Sequence, residues 1–295
     1  MKGSRRNWLG IRRWIDRPGW RTANARAILS GKTALVTGAS SGIGRTVSLQ
    51  LAKAGARVLL VARNQERLDE VAKAIESLGG ECRCFSADLS DPKICTALIS
   101  TVLSREGPID LLINNAGLSI RRPISDSYHR LGDYERTIQL NYLAAVSLTL
   151  GFLPDMQTTD SGHVINISSI GVRTGAPYFS AYVASKAALD HFARTLALEL
   201  GRRKTAVTTI NFGLVRTPMI EPSQVYDRFP SISADQAANR VIDAVIGRPL
   251  RVSSLLGTLL EMTYALSPRL VNAVFILFHD RAHRIATRRR SDDFP

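Results

Sequence analysis

Tyr182 and Lys186 stand four residues apart in the stretch YVASKAALDHFARTLALEL, whose strong helix formers and apolar stripe predict an α-helix. That spacing is just over one helical turn, so a phenol and an ammonium emerge one above the other on one face. A phenol with a pKa of about 10 is a poor acid or base at neutral pH, and a neighbouring cation favours the phenolate. Moving that value by about three units takes about 4 kcal/mol, within reach of a partly desolvated ammonium. Ser169 lies thirteen residues upstream at the end of the apolar run HVINIS, where a strand would deliver its hydroxyl to the same rim. A hydroxyl, a phenol and an ammonium gathered in this way suit general acid and base chemistry. Taken alone, however, Tyr-x-x-x-Lys is short and common, and reads better as a surface pair on a helix.

These side chains need a frame to hold them. From Gly31 the chain alternates apolar runs with helical patterns: TALVTG, ARVLLVAR, CRCFSADL, LLINNAG, HVINISS and AVTTINFG. Strands alternating with helices imply parallel pairing through crossovers, and runs that are apolar throughout suit strands covered on both faces. The predicted fold class is α/β, a doubly wound (Rossmann) parallel sheet. At 295 residues a single large domain is expected. Its parts are a basic arm over residues 1–28, a cofactor-binding and catalytic domain over 29–230, and a helical C-terminal extension over 231–295 that covers the substrate.

The turn TGASSGIG at positions 37–44 follows the first run and precedes a helical pattern. There Gly38, Gly42 and Gly44 remove Cβ atoms where backbone meets phosphate, leaving helix N–H groups free for a pyrophosphate. NNAG follows at 114–117, then QLNY around Asn141, then Ser169, Tyr182 and Lys186. This ordered set resembles the short-chain dehydrogenase/reductase family over roughly residues 30–217.

The resemblance implies seven strands and an oxidoreductase with a nicotinamide cofactor. It gives Tyr182 the role of general acid in reduction. Lys186 tunes the phenol and holds the nicotinamide ribose, Ser169 polarises the carbonyl, and Asn141 keeps a water between the lysine and solvent. Ser40, Ser41 and Ile43 belong with the glycines to the cofactor turn. Asp88 and Leu89 match positions beside the adenine, Asn115, Ala116 and Gly117 those along the adenosine ribose, and Val215 and Thr217 those that meet the nicotinamide amide. Phe212 stands where the family usually has proline. A capping role at Ser90 or Asp91 is the plain structural alternative for the Asp88 segment. The second run ends in Ala62 and Arg63 where an NAD enzyme places a carboxylate on the ribose 2′-hydroxyl. A guanidinium there suits the 2′-phosphate of NADPH, the alternative being a solvated arginine in a charged loop. No metal is required.

Three later segments resemble bacterial single-domain fatty acyl-CoA reductases more than generic carbonyl reductases, most specifically the 119–122 loop and residues 216–226. A lipid or acyl-CoA substrate is implied. Arg121 and Arg122 would meet CoA phosphates and the apolar segment 255–278 would cover an acyl chain, unless the arginines are a solvated pair and the segment is ordinary core. Reduction of a 3-oxoacyl chain, a steroid or another lipid ketone needs the same catalytic residues and stays open. A non-catalytic cofactor-binding protein fits less well, since it would gain nothing from an intact catalytic set.

Charge bears on partners. The chain carries 39 Lys and Arg against 25 Asp and Glu, a net +14, and half of that excess lies before residue 29. An anionic surface or phosphorylated ligand follows. No motif for reading nucleic acid is recognised. Coiled as a helix, residues 5–17 would set Trp8, Ile11, Trp14 and Ile15 on one side and five arginines on the other, an arm suited to lying in an anionic membrane and ended by Pro18 and Gly19. A disordered or self-packed arm is the other reading. Three cysteines match no disulfide framework or metal spacing, and no uninterrupted run of eighteen apolar residues or signal-peptide pattern is present. The expected location is cytoplasmic, peripheral at the inner face of the membrane, with a homo-oligomer compatible with the chain.

Overall fold

The computed structural model describes residues 18–158, 162–201, 205–220, 230–273 and 276. Seven parallel strands form the central sheet in the order β3-β2-β1-β4-β5-β6-β9. They are β1 (Thr33–Thr37), β2 (Arg57–Ala62), β3 (Cys82–Ser86), β4 (Leu111–Asn114), β5 (His163–Ser169), β6 (Ala206–Phe212) and β9 (Arg251–Ser253). Strand order reverses between β1 and β4, which pair with Leu35 opposite Leu112. That switch point opens the crevice where ligands of such sheets sit.

Apolar runs become strands here because both faces are covered. In β1 and β2, Ala34, Val36, Val58 and Leu60 enter one core while Leu35, Leu59 and Val61 enter the other. Helices α2 (Gly42–Lys53), α3 (Gln65–Glu76) and α9 (Ala234–Gly247) cover the first face. Helices α4 (Pro92–Glu106), α6 (Ala144–Thr158) and α8 (Ser180–Leu200) cover the second. Local signals set the helix starts. Asp91 caps α4 by accepting from the Lys93 N–H, with Pro92 next, and Ser233 and Gln236 form a reciprocal capping box on α9. The continuous helix Leu131–Thr158 is long and apolar enough to cross a membrane. It serves as a core helix, with Leu148, Phe152 and Met156 buried against the sheet.

Four details depart from the expectations. The edge strand β3 is only partly buried, so CRCFS does not behave as a strand covered on both faces. The seventh strand, β9, pairs with β6 inside the segment expected to be helical. Two further short strands, β7 (Leu214–Arg216) and β8 (Ser231–Ser233), form their own parallel pair. The described residues from Pro18 onward are helical, forming α1 (Pro18–Leu29), where a helix stop was expected. The helix packs on α9 with Ala25 and Leu29 buried. The basic arm therefore cannot be removed as far as residue 28 without stripping the α9 face. The proposed arm helix over 5–17, with Trp8 and Trp14, lies outside the described residues.

Candidate active site

The site begins at the carboxyl ends of β1 and β4. The Thr37 hydroxyl is buried and uses all its bonding capacity. It accepts from the backbone N–H of Asn115 (2.9 Å) and Ala116 (3.0 Å) and donates to the Ile113 carbonyl (3.2 Å). Asn115 returns the connection by donating its side-chain amide to the Thr37 carbonyl at 2.9 Å. The two strand ends on either side of the switch point are thereby tied together.

On this knot the glycine turn closes tightly. A Cβ on Gly44 would lie 2.2 Å from the Gly38 carbonyl oxygen, and Gly38 itself has φ +65. Both positions exclude any side chain. Gly42, at φ +53, faces the Thr217 methyl, 3.0 Å from where a Cβ would stand. Thr217 follows β7, in which Val215 is buried, so the β7 end and the glycine turn oppose one another across the crevice. Ser41 occupies the N-cap of α2, yet its side chain makes no cap hydrogen bond. The first N–H groups of α2, at Gly42, Ile43 and Gly44, thus meet no side-chain cap, with the half-buried Ser40 beside them. A cradle that excludes Cβ atoms and ends on an uncapped helix fits a pyrophosphate.

Arg63 leaves the end of β2 exposed to solvent, with its carbonyl accepting from Ser86. On the neighbouring strand outlet Asp88 accepts from the hydroxyl and N–H of Ser90. These bonds, and more weakly the Arg63 charge, hold the Asp88 carboxyl below its usual range. Leu89 beside it is buried.

The catalytic candidates converge from three elements. Ser169 is the last residue of β5, and its Oγ accepts from the Gly171 N–H at 3.2 Å. That bond occupies a lone pair and leaves the hydroxyl proton to be given to a ligand. Helix α8 carries Tyr182, half-buried, and Lys186, buried. Phe179 holds the Tyr182 ring edge-on, with centroids 6.4 Å apart. Lys186 Nζ donates to the Ile167 carbonyl at 2.8 Å, and burial lowers its pKa to about 8. It therefore gives up its proton at a lower pH than an exposed lysine does. A Cβ on Gly117 would come within 3.4 Å of Nζ and 3.2 Å of Asn141 Oδ1, so the absence of a side chain at Gly117 keeps the floor open.

Asn141 lies in a π-helical turn, Gln139–Leu143, that joins α5 (Leu131–Ile138) to α6. Its side chain accepts from the Leu118 N–H (2.7 Å) and donates to the Leu118 carbonyl (2.9 Å) and the Ser185 hydroxyl (2.8 Å). Ser185 in turn donates to the Tyr182 carbonyl at 2.7 Å. Asn141 thus links the chain after β4 to the helix bearing Tyr182. Such one-turn π bulges recur at functional sites. The sequence reading included Asn141 but not the bulge, nor Thr37 and Ser185 as supports.

At the rim, the two arginines of the 119–122 loop have different surroundings. The Arg121 guanidinium is exposed and lies 4.7 Å over the Tyr178 ring. Arg122 is committed inward: its N–H donates to the Tyr178 carbonyl (2.7 Å) and its side chain pairs with the buried carboxylate of Asp133 (2.7 Å). Hydrogen bonds from Arg122 and Arg136 hold that carboxyl below its usual range. Tyr178 adopts φ 72, unusual for a residue with a Cβ, so this rim loop is held in shape by its contacts.

The glycine turn, Ser169 at the end of β5 and the helix bearing Tyr182 and Lys186 belong to one candidate site, and the sequence decides the family. The pattern of short chain dehydrogenases matches residues 32–225. This chain belongs to the short-chain dehydrogenase/reductase family. It is therefore an oxidoreductase that uses a nicotinamide cofactor. A fatty acyl-CoA reductase of Acinetobacter baylyi is 49% identical over 84% of each chain. A second fatty acyl-CoA reductase, from Mycobacterium tuberculosis, is 41% identical over 88% of this chain and 87% of its own. A metagenomic short-chain oxidoreductase crystallised with NADP superposes with a TM-score of 0.64 at 30% identity, covering 77% of this chain and 99% of that one.

The Thr37 knot makes a prediction. Thr37→Val keeps the shape but leaves the Ala116 N–H without its acceptor, while the Asn115 N–H keeps the Ile113 carbonyl. Urea unfolding should show a loss of about 1–3 kcal/mol. A loss below about 0.5 kcal/mol would mean that the hydroxyl does not tie the two strand ends together.

Proposed function

We propose that this oxidoreductase reduces a long-chain acyl-CoA to a fatty aldehyde with NADPH. The observation that carries the reading is the 49% identity, across most of both chains, to a fatty acyl-CoA reductase. When bound, NADPH supplies the hydride. The chain's own groups handle the oxygen and the proton. Ser169, its lone pair engaged by Gly171, donates a hydrogen bond to the thioester oxygen and stabilises the negative charge that develops there as hydride reaches carbon. Tyr182 is the general acid and Lys186 the nearby cation that eases its proton transfer. The hydroxyl so formed returns its proton to Tyr182 as carbon and oxygen re-form a carbonyl and the C–S bond breaks, and CoA leaves as thiolate that takes up a proton. No acyl-cysteine is needed: Cys82, Cys84 and Cys95 belong to β3 and α4, and burial raises all three thiols above their usual range.

In this reading Arg121 meets the CoA phosphates and Arg122 serves the loop that presents it, since the Arg122 side chain is already held by Asp133. The 2′-phosphate of NADPH is assigned to Arg63, with Asp88 and Leu89 beside the adenine. Asn115 to Gly117, Val215 and Thr217 keep the cofactor roles implied by the family pattern, and Asn141 positions Lys186 and α8.

The deciding experiment follows NADPH oxidation against long-chain acyl-CoAs and 3-oxoacyl-CoAs, with free thiol counted and products identified by mass spectrometry. Thiol release matching NADPH consumed is expected. Turnover of 3-oxo substrates without thiol release would replace this reading with ketone reduction. On the productive substrate Tyr182→Phe should cut kcat by at least about a hundredfold while leaving NADPH affinity within about threefold, since the pyrophosphate cradle is untouched. Retention of a tenth of the rate would remove Tyr182 from its role.

Cofactor choice is separable. Arg63→Ala should weaken NADPH binding by about tenfold or more and leave NADH nearly unaffected. Equal losses for both would show that Arg63 does not read the 2′-phosphate.

We further place the enzyme on an anionic membrane surface, where its substrate partitions. Helix α10 (Leu255–Leu266) supports this: Leu255, Leu259, Met262 and Leu266 are exposed at helical spacing on one face, on a chain of net charge +14. Rather than covering a substrate, that stripe points away from the core, so a bilayer is the partner proposed for it. Leu259→Glu with Leu266→Glu should abolish co-sedimentation with phosphatidylglycerol vesicles without altering turnover of a soluble substrate. Undiminished sedimentation would place the contact elsewhere.

A further inference from the structure

The inner face of α10 carries chemistry of its own. We propose that Glu261 and Arg173 are positioning residues that lock Ser169, making the C-terminal helix part of the catalytic apparatus. The proposal rests on Ser169 being the donor to the substrate carbonyl.

Arg173 belongs to α7 (Gly171–Thr174), the single turn that follows Ser169. Its side chain is buried, and burial lowers its pKa to about 10. A guanidinium held there needs a carboxylate, and α10 provides Glu261 as its ion-pair partner. Arg173 Nε donates to Asn211 Oδ1 at 3.4 Å, and Asn211 Nδ2 donates to the Ser169 carbonyl at 3.3 Å. A continuous polar path thus runs from α10 to the backbone of Ser169. A second link reaches the other catalytic element. Arg251 of β9 pairs with Glu261 at 3.6 Å and with the buried Asp190. Asp190 sits one helical turn beyond Lys186 on α8, on the face that carries Tyr182.

Independent packing seats α10 at the same place. Gly257 is buried beneath Ile170, and a Cβ there would lie 2.7 Å from the Ile170 side chain. One helical turn later, Glu261 emerges on that inner face. The glycine lets α10 approach the residue next to Ser169, and the glutamate then fixes it by charge. Nothing in the reaction consumes these groups, so they act through geometry alone.

Glu261→Gln leaves the Arg173 charge buried without its carboxylate. Arg173 must then draw in water or swing outward, moving α7 with it. In Glu261→Gln, amide exchange at Ile170 and Gly171 should quicken at least tenfold. The kcat for the carbonyl substrate should fall at least tenfold, and the NADPH dissociation constant should stay within twofold. Combining it with Arg173→Met removes the stranded charge, so Tm should recover while kcat remains low, because Asn211 has lost the arginine that orients it. Glu261→Asp should restore part of the rate. Unchanged exchange and kcat in Glu261→Gln, or recovery of both Tm and kcat in the double variant, would overturn the proposal. If the wild type reduces no carbonyl, the functional reading fails by itself, and the exchange rates alone decide whether Glu261 holds the Ser169 turn.

Discussion

An ammonium held beneath the surface is the constraint around which this candidate site is built. Lys186 is buried and its pKa has fallen to about 8, so desolvation works against its charged form. The protein holds it with one backbone carbonyl, that of Ile167 in β5. That single bond requires α8 to lie close along the carboxyl half of β5, and packing meets the requirement. Leu196, Leu200 and Val207 share a core cluster at the far end of the same helix, and the Asn141–Ser185 link braces the near end. Any addition at Gly117 would crowd both Nζ and Asn141. The floor of the site, the π turn and the catalytic helix are therefore specified together.

A second constraint lies at the glycine turn. Gly38 and Gly44 approach backbone to backbone, and Asn115 spans the gap from β4 with bonds to the Thr37 and Gly38 carbonyls. The cofactor cradle and the loop leading to Asn141 are in this way parts of one hydrogen-bonded unit. The order of β1 beside β4 makes the unit geometrically available, because two strands adjacent in space but remote in sequence end at the same rim. A crevice of this kind needs little induced movement to receive a dinucleotide, since its donors are backbone groups fixed by the sheet.

Much of this was legible in the sequence, and the exceptions have physical causes. Six apolar runs became six neighbouring strands, five of them because burial on both faces demands continuous hydrophobicity, while β3 at the edge is only partly buried. The seventh, Arg251–Ser253, has three residues and one buried side chain, too little for any periodicity to register. Pro18 and Gly19 looked like the end of an arm helix, yet residues 18–29 are helical and packed on α9, a contact that no local pattern announces. The π turn at Gln139–Leu143 is invisible to pattern because it depends on Asn141 being drawn toward Leu118. Arg121 and Arg122 form one basic pair in sequence. Asp133, eleven residues on, separates them by taking Arg122 inward.

The two faces of α10 bear on how substrate choice arises in a fold whose reacting groups suit any carbonyl. Tyr182, Lys186 and Ser169 make no distinction between a thioester and a ketone, so selection must come from what surrounds them. Here the surrounding pieces are the stacked Arg121 and Tyr178 on one side and α10 seated through Gly257 and Glu261 on the other. In the proposed function the first meets a phosphorylated head, and the second turns its apolar stripe outward to the bilayer in which a hydrocarbon tail partitions. A small soluble ketone would need neither. The rim, more than the shared catalytic groups, is thus where the physical case for an acyl-CoA substrate rests.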